Sequence, residues 1–184
     1  PPELVVNALK NNPPTLKLTS AGDRRVSALE EMDIAANAAD DFGLEEFGVS
    51  YSVGGEKPVE IKLGTSIAGN IEQVIDYLID FESLKAEPDQ LLSFHFWVVD
   101  YAADGNLRRT FSDMFFAEVR PFEEIFRQGQ QPPGGEQQQQ QEQEQEGESQ
   151  NEQQAGELAE LQKQIISATW NILRRETFST VSET

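Results

Sequence analysis

The sequence has no cysteine. That excludes a disulfide framework, a thiolate nucleophile and a thiolate-held metal, and it leaves the redox compartment open. Histidine is nearly absent too: His95 is the single imidazole, and no G-x-S-x-G elbow presents a serine to it. Basic residues are scarce, 14 against 33 acidic ones, for a net charge of −19. The deficit is spread along the chain: residues 1–126 hold 10 basic and 23 acidic side chains, and the remainder holds 4 and 10. Neither part offers a cationic footprint for nucleic acid, and both are repelled by anionic membrane surfaces. No run of 18 or more apolar residues occurs, and no leader pattern follows Pro1. The expectation is a soluble piece of a longer chain, with any targeting or membrane segment of the parent outside it.

What is present is alternation with period two between Leu16 and Val119. Leu16 and Leu18 share a face, as do Met32, Ile34, Ala36 and Ala38. Phe47, Val49, Tyr51 and Val53 follow, then Val59, Ile61 and Leu63, then Ile75, Tyr77, Ile79 and Phe81. Leu92, Phe94, Phe96 and Val98 come next, and Phe115, Ala117 and Val119 close the series. Glycine-bearing turns punctuate it at Gly54–Pro58 and Ala102–Asn106. Seven short strands without an intervening amphipathic helix predict a mainly β domain over 1–126, an immunoglobulin-like β-sandwich of two sheets. Ile71–Leu84 also fits a helix, because Ile71, Val74, Ile75, Leu78 and Ile79 share a helical stripe.

Composition changes after Phe126. Between Gln128 and Gln154, 13 of the 27 residues are glutamine. Such a stretch buries too little apolar surface to offset its chain entropy, which predicts a disordered low-complexity linker over 127–155. The alternative is an extension of the following helix, since Gln and Glu are fair helix formers. Over 156–178 the spacing of Leu158, Leu161, Ile165, Ala168 and Ile172 puts five apolar residues on one helical stripe. A helix of this kind needs a partner surface: the sandwich, a neighbouring helix of another protein, or a second copy. Arg174 and Arg175 are expected near its C-terminus, where cations suit the helix dipole.

Asp41-Phe42-Gly43 spells the magnesium-binding tripeptide of protein kinases. The glycine-rich loop, strand lysine and catalytic loop that give the tripeptide its chemistry are missing. The acidic pairs Glu30-Glu31, Asp40-Asp41, Glu45-Glu46 and Glu123-Glu124 supply carboxylates for acid–base work only if a cleft splits their pKa values, and solvated turns are the commoner setting. The more specific arrangement joins two loops. Asp40 and Asp41 end one strand, while Asp100, Asp104 and Asn106 surround another loop, and an immunoglobulin-type sandwich puts both loops at one end. Five oxygen-bearing side chains there make a candidate calcium site. The plainer reading is turn formation by Asp and Asn, since no spacing matches an EF-hand loop. His95, Trp97, Val99 and Tyr101 lie on the face opposite the core residues of their strand. They form either an exposed aromatic platform or, as the rarity of large exposed apolar patches favours, a covered face under the N-terminal segment or the C-terminal helix.

The phrases "RVSALEEMDIAANAADDFGLEEFGVSYSVGG", "VVDYAADGN", "SDMFFAEVRPFEEIFRQ" and "QIISATWNILRRE", in that order and separated by the Gln-rich tract, resemble a family of large bacterial membrane-anchored proteins of uncharacterised activity. The resemblance runs from about Pro13 to Glu176. It implies an extracytoplasmic immunoglobulin-like module on the periplasmic side of the inner membrane, a Gln/Gly/Pro-rich linker and coiled-coil-like helices, with membrane contact through parent segments outside this chain. It brings no catalytic motif and no functional residue. Asp40–Leu44 matches its recurrent phrase, which makes the tripeptide a turn: Gly43 allows the bend and Phe42 plugs the sandwich end.

The expected function is therefore non-catalytic, a structural or protein-interaction module of a cell-envelope protein without a cofactor. The alternative is a calcium-stabilised adhesion-type or ligand-binding sandwich, and an enzyme of unknown class comes last.

Overall fold

Alternation of apolar and polar residues becomes two facing sheets in the computed structural model, which describes residues 9–20, 22–121 and 142–180, with the helical side chains described over 156–176. The smaller sheet joins β1 (Thr15–Leu18), β3 (Glu31–Ala39) and β6 (Glu72–Asp80) in the order β1-β3-β6, all antiparallel. The larger sheet runs β2-β9-β7-β4-β5, from β2 (Arg24–Ser27) through β9 (Phe115–Arg120), β7 (Leu91–Tyr101) and β4 (Gly43–Val53) to β5 (Val59–Ala68). β8 (Leu107–Phe111) pairs with the far half of β7. The arrangement is an immunoglobulin-like sandwich: β4–β5 and β7–β8 pair as neighbours in sequence, while the chain crosses between the sheets from β3 to β4, β5 to β6 and β6 to β7.

The inner faces are those that alternation assigns. Met32, Ile34, Ala36 and Ala38 are buried, as are Ile75, Ile79, Phe81, Leu92, Phe94, Phe96, Val98, Ala117 and Val119. Ile71–Leu84 resolves as strand and turn: β6 pairs with β3 along its whole length, so Ile75 and Ile79 face the core while Val74 and Leu78 stay outside. A helix there would have put all four on one side.

The described strands number nine against seven expected. The two additions, β2 and β8, each contain an arginine pair, Arg24-Arg25 and Arg108-Arg109. β8 and β9 occupy the same edge of β7, interrupted at 112–114: β8 pairs with Trp97–Tyr101 and β9 with Leu91–Phe94. Together they form one broken strand along that edge of β7, outermost in the sheet only over β8. β2 adds a parallel partner beyond it.

The helix α1 spans Glu142–Thr180. It begins in the glutamine-rich tract, as the helix-extension alternative has it. The remainder of the 127–155 linker expectation, up to residue 141, lies outside the described residues. α1 also continues past Arg174 and Arg175 to Thr180, so these arginines sit more than one turn from its end.

Candidate functional site

The turn between β3 and β4 is built by its own aspartate. One Asp40 carboxylate oxygen accepts hydrogen bonds from the backbone N–H groups of Phe42 (2.9 Å) and Gly43 (2.8 Å). Gly43 has φ +109°, and a Cβ there would lie 2.5 Å from the carbonyl oxygen of Ile67. Only glycine fits this entry into β4. Phe42 does not plug the sandwich end; it is 55 % exposed, because the turn that Asp40 fixes directs it outward.

Asp41 reaches the N-terminal segment instead of a neighbouring aspartate. Its carboxylate accepts from the Asn12 backbone N–H (3.1 Å) and from Asn12 Nδ2 (2.9 Å). Partial burial works to raise the Asp41 carboxyl, but these bonds, helped by the Arg108 charge, bring it below the ordinary carboxylate value. Asp104 closes its own loop: its oxygens accept from the backbone N–H of Asn106 (2.9 Å) and from Asn106 Nδ2 (2.8 Å). Those bonds hold its carboxyl low as well. Asp104 and Asn106 are exposed, and Asn106 donates inward to the turn rather than outward to a ligand.

Asp100 is the most deeply buried member, with no solvent exposure, and its partner is Arg108. The guanidinium forms a two-pronged contact with the Asp100 carboxylate through Nε and Nη2. Nη2 also donates to Asn11 Oδ1 (3.0 Å) and to the Asn12 carbonyl (2.7 Å). Burial pushes the Asp100 carboxyl up, Arg108 pulls it down, and the Asp40 charge adds to the rise. Thus the loop ends do meet at one pole of the sandwich, and the cation placed among them is an arginine that the sequence reading missed. The signal in the sequence was Arg108 itself, a basic residue two positions past Asn106. Among the described residues, no three Asp, Glu or His side chains group to hold a metal ion. Asp40 Oδ1 and Asp41 Oδ1 are buried without a protein hydrogen-bond partner.

The outer face of β7 is covered over His95 and Trp97, as the packing argument expects, while Tyr101 at its end is 49 % exposed. Trp97 is 4 % exposed and His95 8 %. Arg109 from β8 lies over the Trp97 ring at 4.1 Å and pairs with Glu60 of β5 at 3.1 Å. Trp97 also requires Gly48 on β4, where a Cβ would meet its ring at 2.4 Å. His95 is roofed by α1: its ring lies 4.1 Å from that of Trp170, with Phe111 edge-on to both. Desolvation, with the Arg109 charge second, lowers the His95 pKa to about 4, so the imidazole is neutral at pH 7.

The helix is fastened at the break between β8 and β9. Trp170 Nε1 donates to the Ser112 carbonyl (3.1 Å), and Arg174 Nη1 pairs with Asp113 (2.7 Å). Lys163 lies 3.9 Å from Asp23. The half-buried positions of α1 are Gly156, Ala159, Lys163, Ile166, Ser167, Trp170 and Arg174. Of the partners expected for the apolar stripe, this rules out the sandwich. Leu158, Leu161, Ile165 and Ile172 are exposed, Ile165 by 65 %, and Ala168 is exposed with them. The docked side won because it carries the tryptophan and two cations that match the outer face of an acidic sandwich. Beside it, Arg25, Glu118, Gly156, Glu157, Glu160, Leu161 and Gln164 line a cleft of about 520 Å³ open to solvent.

No family model matches the chain, and no curated protein matches it. Among solved structures it is similar to the CARDB domain of a Pyrococcus furiosus protein crystallised in complex with di-metal ions, with 14% identity over 61% of this chain and 94% of that one at a TM-score of 0.34. It is also similar to a Niemann-Pick type C2 protein from Japanese carpenter ant, with 11% identity over 60% of this chain and 92% of that one at a TM-score of 0.34. A likeness this loose carries no functional argument. No described helix is long and apolar enough to cross a membrane.

Proposed function

We propose that the chain is a non-catalytic structural and protein-interaction module, a sandwich that holds a helix in a fixed orientation for a protein partner. The observation that carries this reading is the fastening of α1 by Trp170 and Arg174 at the break between β8 and β9, with the leucine–isoleucine stripe left outside. Supporting it, Asp100 and Arg108 are spent on tying the N-terminal segment to the loops, and His95 is sealed under Trp170. The setting proposed is the extracytoplasmic side of a bacterial inner membrane, as part of a cell-envelope protein. Its support is the resemblance of ordered phrases from Pro13 to Glu176.

Amide hydrogen exchange of the full chain tests the reading. Read in the Ile165→Asp background, where the exposed stripe cannot hold the helix, amides over 159–174 should be protected and should exchange much faster once Trp170→Ala is added, because most helical stability comes from packing. Equal exchange in the two proteins overturns it.

A second reading, a calcium-stabilised or ligand-binding module, rests on the two buried oxygens of Asp40 and Asp41 that have no protein partner. A rise in thermal midpoint with calcium, absent with magnesium and lost in Asp40→Asn, would favour it over the first.

A further inference from the structure

We propose that the exposed stripe of α1 is the seam of a parallel two-stranded coiled coil with a second copy of this chain. The proposal rests on the interaction-module reading and names its partner. At 100° per residue, Ala159, Lys163, Ile166, Trp170 and Arg174 cluster about one direction on the helix. Leu158, Leu161, Ile165, Ala168 and Ile172 cluster about the opposite one. The first set faces the sandwich and the second is exposed. A second helix can therefore lie along the stripe without displacing the first contact, and the two sandwiches end up on opposite outer sides of the pair.

Two features of the stripe select a second copy over other occupants. Its spacing is heptad, with Leu158, Ile165 and Ile172 at a and Leu161 and Ala168 at d. Two of the three a residues, Ile165 and Ile172, are β-branched and Leu161 stands at d, the combination that favours two parallel strands. The charge pattern agrees. The chain carries −19, so two copies repel, yet the positions flanking the seam from residue 162 to 171 are Gln162, Gln164, Thr169 and Asn171, all neutral. Pairing along this face brings no row of like charges together. Arg175 takes the next d position and ends the seam.

Sedimentation equilibrium of the full chain should give a mass twice 20.6 kDa, falling to 20.6 kDa in Ile165→Asp. Ile165 is 65 % exposed, so unchanged hydrogen exchange at the Trp170 face in that variant separates loss of pairing from loss of docking. Because the chain has no cysteine, Ala168→Cys gives a clean orientation probe: oxidation should link two chains, while Ala159→Cys, on the docked face, should not link. A monomer at all concentrations, a dimer indifferent to Ile165→Asp, or cross-linking through residue 159 but not 168 overturns the proposal. A monomer whose helix is still docked through Trp170 would leave the module reading standing.

Discussion

The guanidinium of Arg108 grips the fully buried carboxylate of Asp100 from the neighbouring strand. Asp100 is the next-to-last residue of β7 and Arg108 the second of the return strand β8, directly opposite it in register. The same guanidinium reaches Asn11 and Asn12 and so ties the start of the described chain to the loop pole. Acidic side chains accumulate at this pole without flying apart because one arginine and several backbone N–H groups stand among them.

Removing Arg108 should be costly for that reason. Arg108→Ala leaves a buried carboxylate without its counter-charge, and breaking such a pair typically loses about 3–5 kcal/mol. Arg108→Lys should recover only part, since an ammonium lacks the two-pronged fork. Replacing both partners with apolar residues, as in Asp100→Leu with Arg108→Met, should be much milder than either single change. Urea unfolding measures all four proteins; a loss under about 1 kcal/mol in Arg108→Ala would show the pair to be dispensable.

Phe96 tests the core. It is fully buried on the inner face of β7, edge-on to Phe94. Phe96→Ala should lose roughly 3–5 kcal/mol in denaturant unfolding. A small loss would place the core on the opposite face.

His95 sets a pH dependence. Its folded pKa of about 4 lies below the ordinary 6.5. The unfolded chain therefore binds the extra proton first, and stability contributed by the neutral ring is complete above about pH 6.5 and is lost as pH falls toward 4. The difference is on the order of 3 kcal/mol. Comparing unfolding free energies from pH 7 to 4.5 in wild type and His95→Gln should show a shallower decline in the variant. Parallel curves would mean the ring is solvated.

Divalent cations should act on this protein only through its general negative charge. The Asp104 carboxylate is already committed to Asn106. Thermal midpoints at about millimolar calcium and magnesium should rise together, and Asp104→Asn should respond like Glu87→Gln. A calcium-specific rise lost in Asp104→Asn would reverse this expectation.

The core was legible in the sequence because half-buried strands write their faces directly: Met32-x-Ile34-x-Ala36 and Leu92-x-Phe94-x-Phe96 admit one orientation each. β2 and β8 were not, because Val26 and Phe111 stand among arginines whose charges find carboxylates only in three dimensions: Arg25 with Glu118, Arg108 with Asp100, Arg109 with Glu60. The acidic pole was legible as a place but not as chemistry, since its cation comes from a strand that alternation does not reveal. The helix was legible as a helix. Its docked face was not, because the stripe with the cleaner apolar pattern is the exposed one, and the docked side mixes Lys163, Ser167 and Arg174 with Ala159, Ile166 and one tryptophan. A large aromatic alone on the polar side of a helix was the clue.

The central claim is that α1 lies against the sandwich with Trp170 over His95, the rings 4.1 Å apart. Proton–proton cross-relaxation between the Trp170 indole and the His95 imidazole, measured in the full chain, tests it most directly. The account predicts strong cross-peaks between the two rings and a Trp170 Nε1 proton protected from exchange by the Ser112 carbonyl. Absence of those cross-peaks, with a freely exchanging indole proton, would contradict it.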